Sequence, residues 1–254
     1  MREDLRCALD GVEMGSLDAR LYVEDIEERV KTAVETGGRP GWGRTAMGRP
    51  ERESLTVTVR FMVKEADPAR RRAVIDRVNG WAKPGWLTIG ARPEQRLYVS
   101  CAAPADSATL RWSEGLQVAF TAYDGACWQD RYPATARLNG TAGSACIAPR
   151  GTRECLLDAE IENVSGGVVN AVSLSVNGRT MAFAGLGLAA GQKLTIDHDP
   201  RRLLRATADG AGRLACRTAE SADDLTLIPA ARNTVYFTAD GACGVTLRAR
   251  GEYD

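Results

Sequence analysis

Apolar residues recur at every second position along most of this chain, and that periodicity restricts the fold more than any other feature. Leu55, Val57, Val59, Phe61 and Val63 point one way, while Thr56, Thr58, Arg60 and Met62 point the other. Such alternation describes a long strand with one face on a core. The pattern returns at Leu116, Val118 and Phe120, at Leu157, Ala159 and Ile161, and at Leu174 and Val176. It returns again at Leu194 and Ile196, Leu225 and Leu227, Val235 and Phe237, and Val245 and Leu247. Asp10-Gly11, Asp124-Gly125, Asn139-Gly140, Asn177-Gly178, Asp209-Gly210 and Asp240-Gly241 fall where hairpins need residues that tolerate positive φ. The expected fold is mainly β and antiparallel.

One segment departs from that rhythm. Asp67 suits an N-cap, Pro68 the first helical position, and Val74, Val78 and Trp81 follow at helical spacing until Pro84-Gly85 ends the element. Arg70, Arg71, Arg72 and Arg77 fall mostly off the apolar stripe and are expected in solvent. Near residue 130 the spacing changes. Longer strands, the helix and Trp42, Trp81, Trp86 and Trp112 precede it, Trp128 lies at the junction, and short strands with frequent turns follow. The 254 residues therefore read as two domains, 1–130 and 131–254, with the boundary around Gln129 to Pro133 and the second domain a β-sandwich.

Charge and cysteine usage narrow the function classes. The 33 basic residues balance 33 acidic ones, so the positive field of a nucleic-acid-binding domain is missing and no sequence-specific nucleic acid partner is expected. Lysine supplies four of the basic residues (Lys31, Lys64, Lys83, Lys193) and arginine the rest, and arginine's planar fork suits interface ion pairs. No run approaches the roughly 20 apolar residues that span a bilayer. The charged stretch from Met1 to Arg6 leads into no apolar h-region, so neither a secretory signal nor membrane insertion is expected. Cys7, Cys101, Cys127, Cys146, Cys155, Cys216 and Cys243 are scattered without a CxxC pair and are expected as reduced, buried thiols.

A catalytic reading finds little support. Gly185 to Lys193 is glycine-rich but lacks both a P-loop ending and GxGxxG spacing. Gly143-Ser144-Ala145-Cys146 lacks the second glycine of a nucleophile elbow. His198 is the sole histidine, which removes zinc sites with two imidazoles. In Asp197-His198-Asp199-Pro200, alternation turns His198 inward and the two carboxylates outward, so the three side chains diverge. No enzyme activity, cofactor or metal is expected.

Residues 35 to 52 (ETGGRPGWGRTAMGRPER) fit neither domain comfortably. This stretch carries five glycines, two prolines and Arg39, Arg44, Arg49 and Arg52, between a strand over residues 21–34 and another beginning at Ser54. A loop of this length inside a compact domain is usually functional or disordered. Trp42 at its centre favours a surface to cover. Arg39, Trp42, Arg44 and Arg49 are the candidate inter-subunit contacts.

The order of these features resembles the distal tail proteins of long-tailed, non-contractile bacteriophages. The residues that carry the resemblance begin with Leu9-Asp10-Gly11-Val12-Glu13-Met14, Leu21-Tyr22-Val23-Glu24-Asp25-Ile26, the glycine-arginine loop and Arg52 through Val59. After the helix come Trp86-Leu87-Thr88-Ile89, Arg96-Leu97-Tyr98-Val99 and Leu116 through Asp124. Ile161-Glu162-Asn163, Leu188 through Asp197 and Leu227 through Val235 look like the family's galectin-like sandwich. The resemblance implies an N-terminal β-sandwich or split-barrel-like ring-forming domain with one helix, followed by a galectin-like β-sandwich. It implies a virion structural protein at the tail tip, a homo-oligomeric ring of six subunits that joins the tail tube to the tip complex around a channel for DNA. Implied partners are further copies of the chain, the tail tube protein and the tail-tip hub or tail-associated protein, with tape measure and receptor-binding proteins beside them. Where the family would place a Pro-Gly-x-Asn turn, this chain has Pro229, Ala230, Ala231, Arg232 and Asn233, so a longer turn or another conformation is expected.

The rival reading is a carbohydrate-binding, receptor-recognising sandwich. Sugars stack on exposed aromatics, and residues 133–254 offer Phe183, Phe237, Tyr236 and Tyr253, with Phe237 on the inward alternation.

Overall fold

The structure is a computed structural model and describes residues 3–33, 36–38, 44–46, 51–103, 116–123, 127–200 and 202–253. It divides into two compact units, Met1–Trp128 and Gln129–Asp254. As the alternation requires, the described residues are antiparallel β with one α-helix.

In the first unit the strands are β1 (Cys7–Leu9), β2 (Val12–Glu13), β3 (Leu21–Ala33), β4 (Thr36–Gly38), β5 (Arg44–Ala46) and β6 (Glu51–Val63). Helix α1 (Pro68–Trp81) follows, then β7 (Gly85–Ile89), β8 (Gln95–Val99), β9 (Cys101–Ala103) and β10 (Leu116–Tyr123). One sheet runs β3-β6-β10-β9, and β2-β1-β7-β8 lie side by side in another. Leu55, Val57, Val59, Phe61 and Val63 of β6 and Leu116, Val118 and Phe120 of β10 are buried, as the period of two predicts. Each such side chain contributes about 1.5–3 kcal/mol on leaving water. Helix α1 buries Val74, Ile75, Val78 and Trp81, and the Trp81 ring meets Phe120 edge-on with centroids 5.6 Å apart.

The helix starts where its cap dictates. Asp67 accepts hydrogen bonds from the backbone N–H of Ala69 (2.8 Å) and Arg70 (3.2 Å), satisfying two donors that the first turn leaves open. The arginines are busier than solvation alone requires. Arg71 donates to the carbonyls of Glu65 and Ala66, Arg72 pairs with Asp76, and Arg77 reaches Asp18 at 2.7 Å.

Strand β11 (Trp128–Asp130) runs across the junction. The second unit continues with β12 (Ala134–Ile147), β13 (Cys155–Asn163), β14 (Val172–Val176), β15 (Arg179–Phe183), β16 (Lys193–His198) and β17 (Leu204–Ala208). It ends with β18 (Ala211–Gly212), β19 (Thr226–Leu227), β20 (Asn233–Ala249) and β21 (Glu252–Tyr253). The sandwich is organised by β20. Its first half pairs with β14 and its second half with β13, while β12 follows it along both halves. One 17-residue strand thus belongs to both faces of the sandwich.

The hairpin signals divide accordingly. Asp10-Gly11, Asn177-Gly178 and Asp209-Gly210 form tight turns with positive φ at both residues, 49° and 82°, 51° and 77°, and 47° and 79°. Asn139-Gly140 and Asp240-Gly241 do not turn the chain. They lie inside β12 and β20 at the register shift between Gly140 and Ala142, where Gly140 stands opposite Cys243, Ala142 stands opposite Thr238, and Asp240 and Gly241 fall between those two pairs. The glycines there let both strands bend together instead of reversing. A Cβ on Gly241 would sit 2.8 Å from Cγ2 of Val169, so the close approach as well as the bend selects glycine. Asp124-Gly125 lies outside the described residues.

The segment after Leu227 takes a conformation that glycine would normally supply. Ala230 sits at φ 52° directly after Pro229. Buried Asn233 holds this turn: its Oδ1 accepts from Ile228 N–H (2.9 Å), and its Nδ2 donates to the carbonyls of Ile228 and Ala231 (both 3.0 Å).

The cysteines separate into two groups. Cys7, Cys127, Cys155 and Cys243 are buried, as expected, whereas Cys101 and Cys146 are exposed and Cys216 is half-buried, which corrects the expectation for those three. Burial pushes the Cys7 and Cys155 thiols up to about 12.

Candidate assembly surfaces

The first surface is the β3–β6 ribbon. Twelve of the 13 residues of β3 pair with β6, from Leu21 opposite Val63 to Ala33 opposite Glu51, with register shifts at Val23/Asp25, where Glu24 is left over, and at Lys31/Thr32. Strand β10 covers β6 from Phe61 to Ser54, so the ribbon continues past the sheet as two strands. Beyond it Thr36, Gly37 and Gly38 pair with Ala46, Thr45 and Arg44. The stretch read as an irregular loop therefore contains paired backbone at β4 and β5. Arg44 is a β5 residue; Arg39, Trp42 and Arg49 lie outside the described residues.

Strand β3 is an edge strand of its sheet, and an open edge carries unpaired backbone donors and acceptors. Glu24, Asp25, Glu27, Glu28, Arg29 and Lys31 line it, the charged dressing that keeps an edge from pairing indiscriminately. The outward face is self-neutralised. Arg29 pairs with Glu27 at 2.8 Å, and Arg60 lies 3.8 Å from Asp25 and 3.7 Å from Glu27. Hydroxyls of Thr56 and Thr121 approach to 3.4 Å beside them.

Two polar knots fix the ribbon's course. At its base, Arg20 grips Asp18 with Nε and Nη2 (2.8 and 2.9 Å) and Glu65 with Nη1, and Arg77 of α1 adds a second cation to Asp18. Hydrogen bonds from the Arg20 side chain and backbone hold the Asp18 carboxyl well below the usual carboxylate range. Midway along, Glu28 accepts from Trp128 Nε1 (2.9 Å) and Arg92 Nε (3.2 Å), and the Arg92 guanidinium lies 5.3 Å from the Trp128 ring centroid.

The second surface lies in the other unit. On one side of the sandwich the strands run β12, β20, β14, β15, and register places Ser144, Tyr236, Ser175 and Thr180 in one row. Flanking rows hold Cys146 with Thr234, and Ala142 with Thr238, Ser173 and Ala182. These ten outward positions carry no charge. The opposite side of the sandwich differs. There Glu160 pairs with Lys193 (3.0 Å) and Arg248 (3.3 Å), and Asp197 pairs with Arg205 (2.8 Å).

The side chain of the lone histidine is 6% exposed, on the inward parity of Leu194 and Ile196. His198 Nδ1 lies 2.9 Å from Asp158, while Asp197 turns to Arg205 and Asp199 accepts from Leu203 N–H. The three neighbours diverge as alternation requires. Among the described residues no group of three or more His, Cys, Asp or Glu could hold a metal ion, and no helix is long and apolar enough to cross a membrane.

Among solved structures, the chain is similar to the Dit protein of phage SPP1, described as a paradigm of the hub adsorption apparatus in phages that infect Gram-positive hosts. The TM-score is 0.64 at 12% identity, covering 96% of this chain and 98% of that one. The chain therefore has the fold of that protein from end to end. A second likeness, to the phage p2 baseplate in its activated conformation, has a TM-score of 0.44 at 8% identity over 90% of each chain and carries no argument. No family model and no curated protein matches the sequence.

Proposed function

We propose that this chain is a structural protein of a phage tail tip, a distal tail protein that closes into a ring of six copies. In this reading the ring joins the tail tube to the tip complex and leaves a central channel for DNA, and its role is architectural rather than catalytic. The observation that carries the reading is the shared fold with a phage hub protein over nearly the full length of both chains. The β3–β6 ribbon supports it. A closed ring needs a heterologous interface, in which one surface of a copy meets a different surface of the next. An edge strand of 13 residues supplies one such surface. Residues 35–52, which include Arg39, Trp42, Arg44 and Arg49, are proposed to contact the neighbouring copy.

Partners in this reading are the tail tube protein on one face and the hub or tail-associated protein on the other, with tape measure and receptor-binding proteins nearby. Electron microscopy of the purified protein, alone and mixed with the tail tube protein, tests it. Rings with a central channel are expected, reduced by a Trp42→Ala, Arg44→Ala double substitution. A strict monomer at every concentration, with the tail tube protein present, would overturn the reading.

A further inference from the structure

We infer that the outer edge of β12 pairs with the same edge of a second copy of this chain, antiparallel about a two-fold axis at Ser144, so that two sandwiches share one sheet. The inference stands on the second unit alone and does not depend on ring formation. Among the described residues the backbone of β12 hydrogen-bonds only to residues of β20, which leaves the donors and acceptors of its other side open. The same unit closes its other edges. Along β15, the N–H of Thr218 donates to the Ala182 carbonyl (2.9 Å) and that of Ala222 to the Thr180 carbonyl (2.7 Å), with Arg217 bridging Phe183 between them. Along β17, β18 pairs with Thr207 and Ala208, and Arg213 N–H donates to the Ala206 carbonyl (2.7 Å). An edge left uncovered is usually guarded by charge, proline or a bulge, as the ionic side chains of β3 guard that strand. In β12 the register shift follows Gly140, and the segment beyond it, Ala142 through Ile147, contains neither charge nor proline.

A second copy fits this segment because its sequence tolerates its own reverse. About a two-fold axis at Ser144, Ser144 faces Ser144 of the second copy, Ala142 faces Cys146, and Gly143 faces Ala145. Only small uncharged groups meet, whereas like charges directly opposite one another oppose such self-pairing. A Cβ built on Gly143 meets nothing within 4 Å, so this edge has room for the Ala145 methyl of the second copy. Arg232, which hydrogen-bonds Cys146, lies one residue beyond the Asn233–Ile147 pair. Its two copies would stand about 27 Å apart along the strands at ~3.4 Å per residue, well beyond the screening length of roughly 8 Å in physiological salt. Arg137 is farther still from the axis, on the other side of the register shift. Exposed Tyr236 stands opposite Ser144 on β20 and gives each copy a large ring one strand from the seam. A foreign strand would meet the same open backbone, but the segment offers only small side chains and no charge with which to select its sequence.

The test is sedimentation velocity of the full-length protein over a micromolar concentration range, in the parent and in the Trp42→Ala, Arg44→Ala background that weakens rings. Thiols are kept reduced, so that a disulfide through exposed Cys146 cannot imitate the pairing. A concentration-dependent dimer is expected in the ring-weakened background. Ser144→Lys sets a charge opposite itself across the axis and should weaken that dimer about tenfold or more, as should Ser144→Glu. An equimolar mixture of the Lys and Glu variants should recover it, because opposite charges then face each other. Both variants should unfold at the same urea concentration as their parent, since Ser144 is exposed. The inference is overturned by a strict monomer throughout the range, by a dimer that Ser144→Lys leaves equally stable, or by a mixture that fails to recover it. Rings in the parent without a dimer in the weakened background would sink this pairing and leave the ring standing; dimers without rings would do the reverse.

Discussion

The indole N–H of Trp128 donates to Glu28 at 2.9 Å, joining residues a hundred positions apart and tying the last residue of the first unit to the middle of its edge strand. Trp128 is 1% exposed, so its indole N–H relies on Glu28, whose side chain keeps 26% of its surface in water. Glu28→Ala leaves a buried donor unsatisfied and releases Arg92, at an expected cost of about 1–3 kcal/mol in urea unfolding followed by tryptophan fluorescence. Glu28→Gln retains an acceptor for the indole and should cost less. Equal losses in the two variants would mean that the Arg92 contact dominates.

Acid should loosen the base of the ribbon. The folded carboxyl of Asp18 titrates below its unfolded value of about 3.9, so its contribution is complete above that pH and is lost as pH falls toward the lowered value. Stability measured by urea unfolding at pH 7 and at pH 3 should therefore differ more in the parent than in Asp18→Asn. An identical pH dependence in the two proteins would remove Asp18 from the account.

Ala230 holds a left-handed backbone conformation that costs a non-glycine residue about 1–2 kcal/mol. Ala230→Gly relieves that strain and adds freedom to the unfolded chain, which offsets part of the gain. A net stabilisation of about 0.5–1 kcal/mol is expected in equilibrium denaturation. Asn233→Ala should act in the opposite sense and strip the turn of its hydrogen bonds, costing about 1–3 kcal/mol.

Thiol reactivity should follow burial and local charge. Hydrogen bonds from Thr234 and Arg232 lower the pKa of exposed Cys146, and the thiolate is the reactive form. Iodoacetamide at pH 7.5, read by peptide mass spectrometry, should modify Cys146 early and leave Cys7 and Cys155 untouched until the chain unfolds. Arg232→Ala should slow the Cys146 reaction.

Much of this architecture is legible in the sequence because large aliphatic side chains announce which way a strand faces. Val57, Val59 and Phe61, or Leu194 and Ile196, are buried as their spacing predicts, and Asp67 with Pro68 marks the helix start to the residue. Strand β12 is not legible. Its sequence ATARLNGTAGSACI presents Leu138 and Ile147 as its large apolar residues, and alanines fill the rest of its inner face. That omission hid the register between Ser144 and Tyr236 as well. Glycine misled in both directions. At Gly140 and Gly241 it marks a bend within paired strands rather than a reversal, and Gly37 and Gly38 concealed the pairing of β4 with β5. Local turn chemistry cannot distinguish these cases, because the partner that decides between them lies far along the chain.

Strand β20 sets the order in which the second unit can be completed during synthesis. Its partner β12 is made about 100 residues earlier, and neither sheet is whole until the ribosome has released β20. Contacts of such long range form slowly, and they expose unpaired edges while they wait. A chain interrupted before Asn233 would lose pairing on both sides of the sandwich at once, so such copies would fail as a whole unit instead of entering an assembly with a defect confined to one sheet.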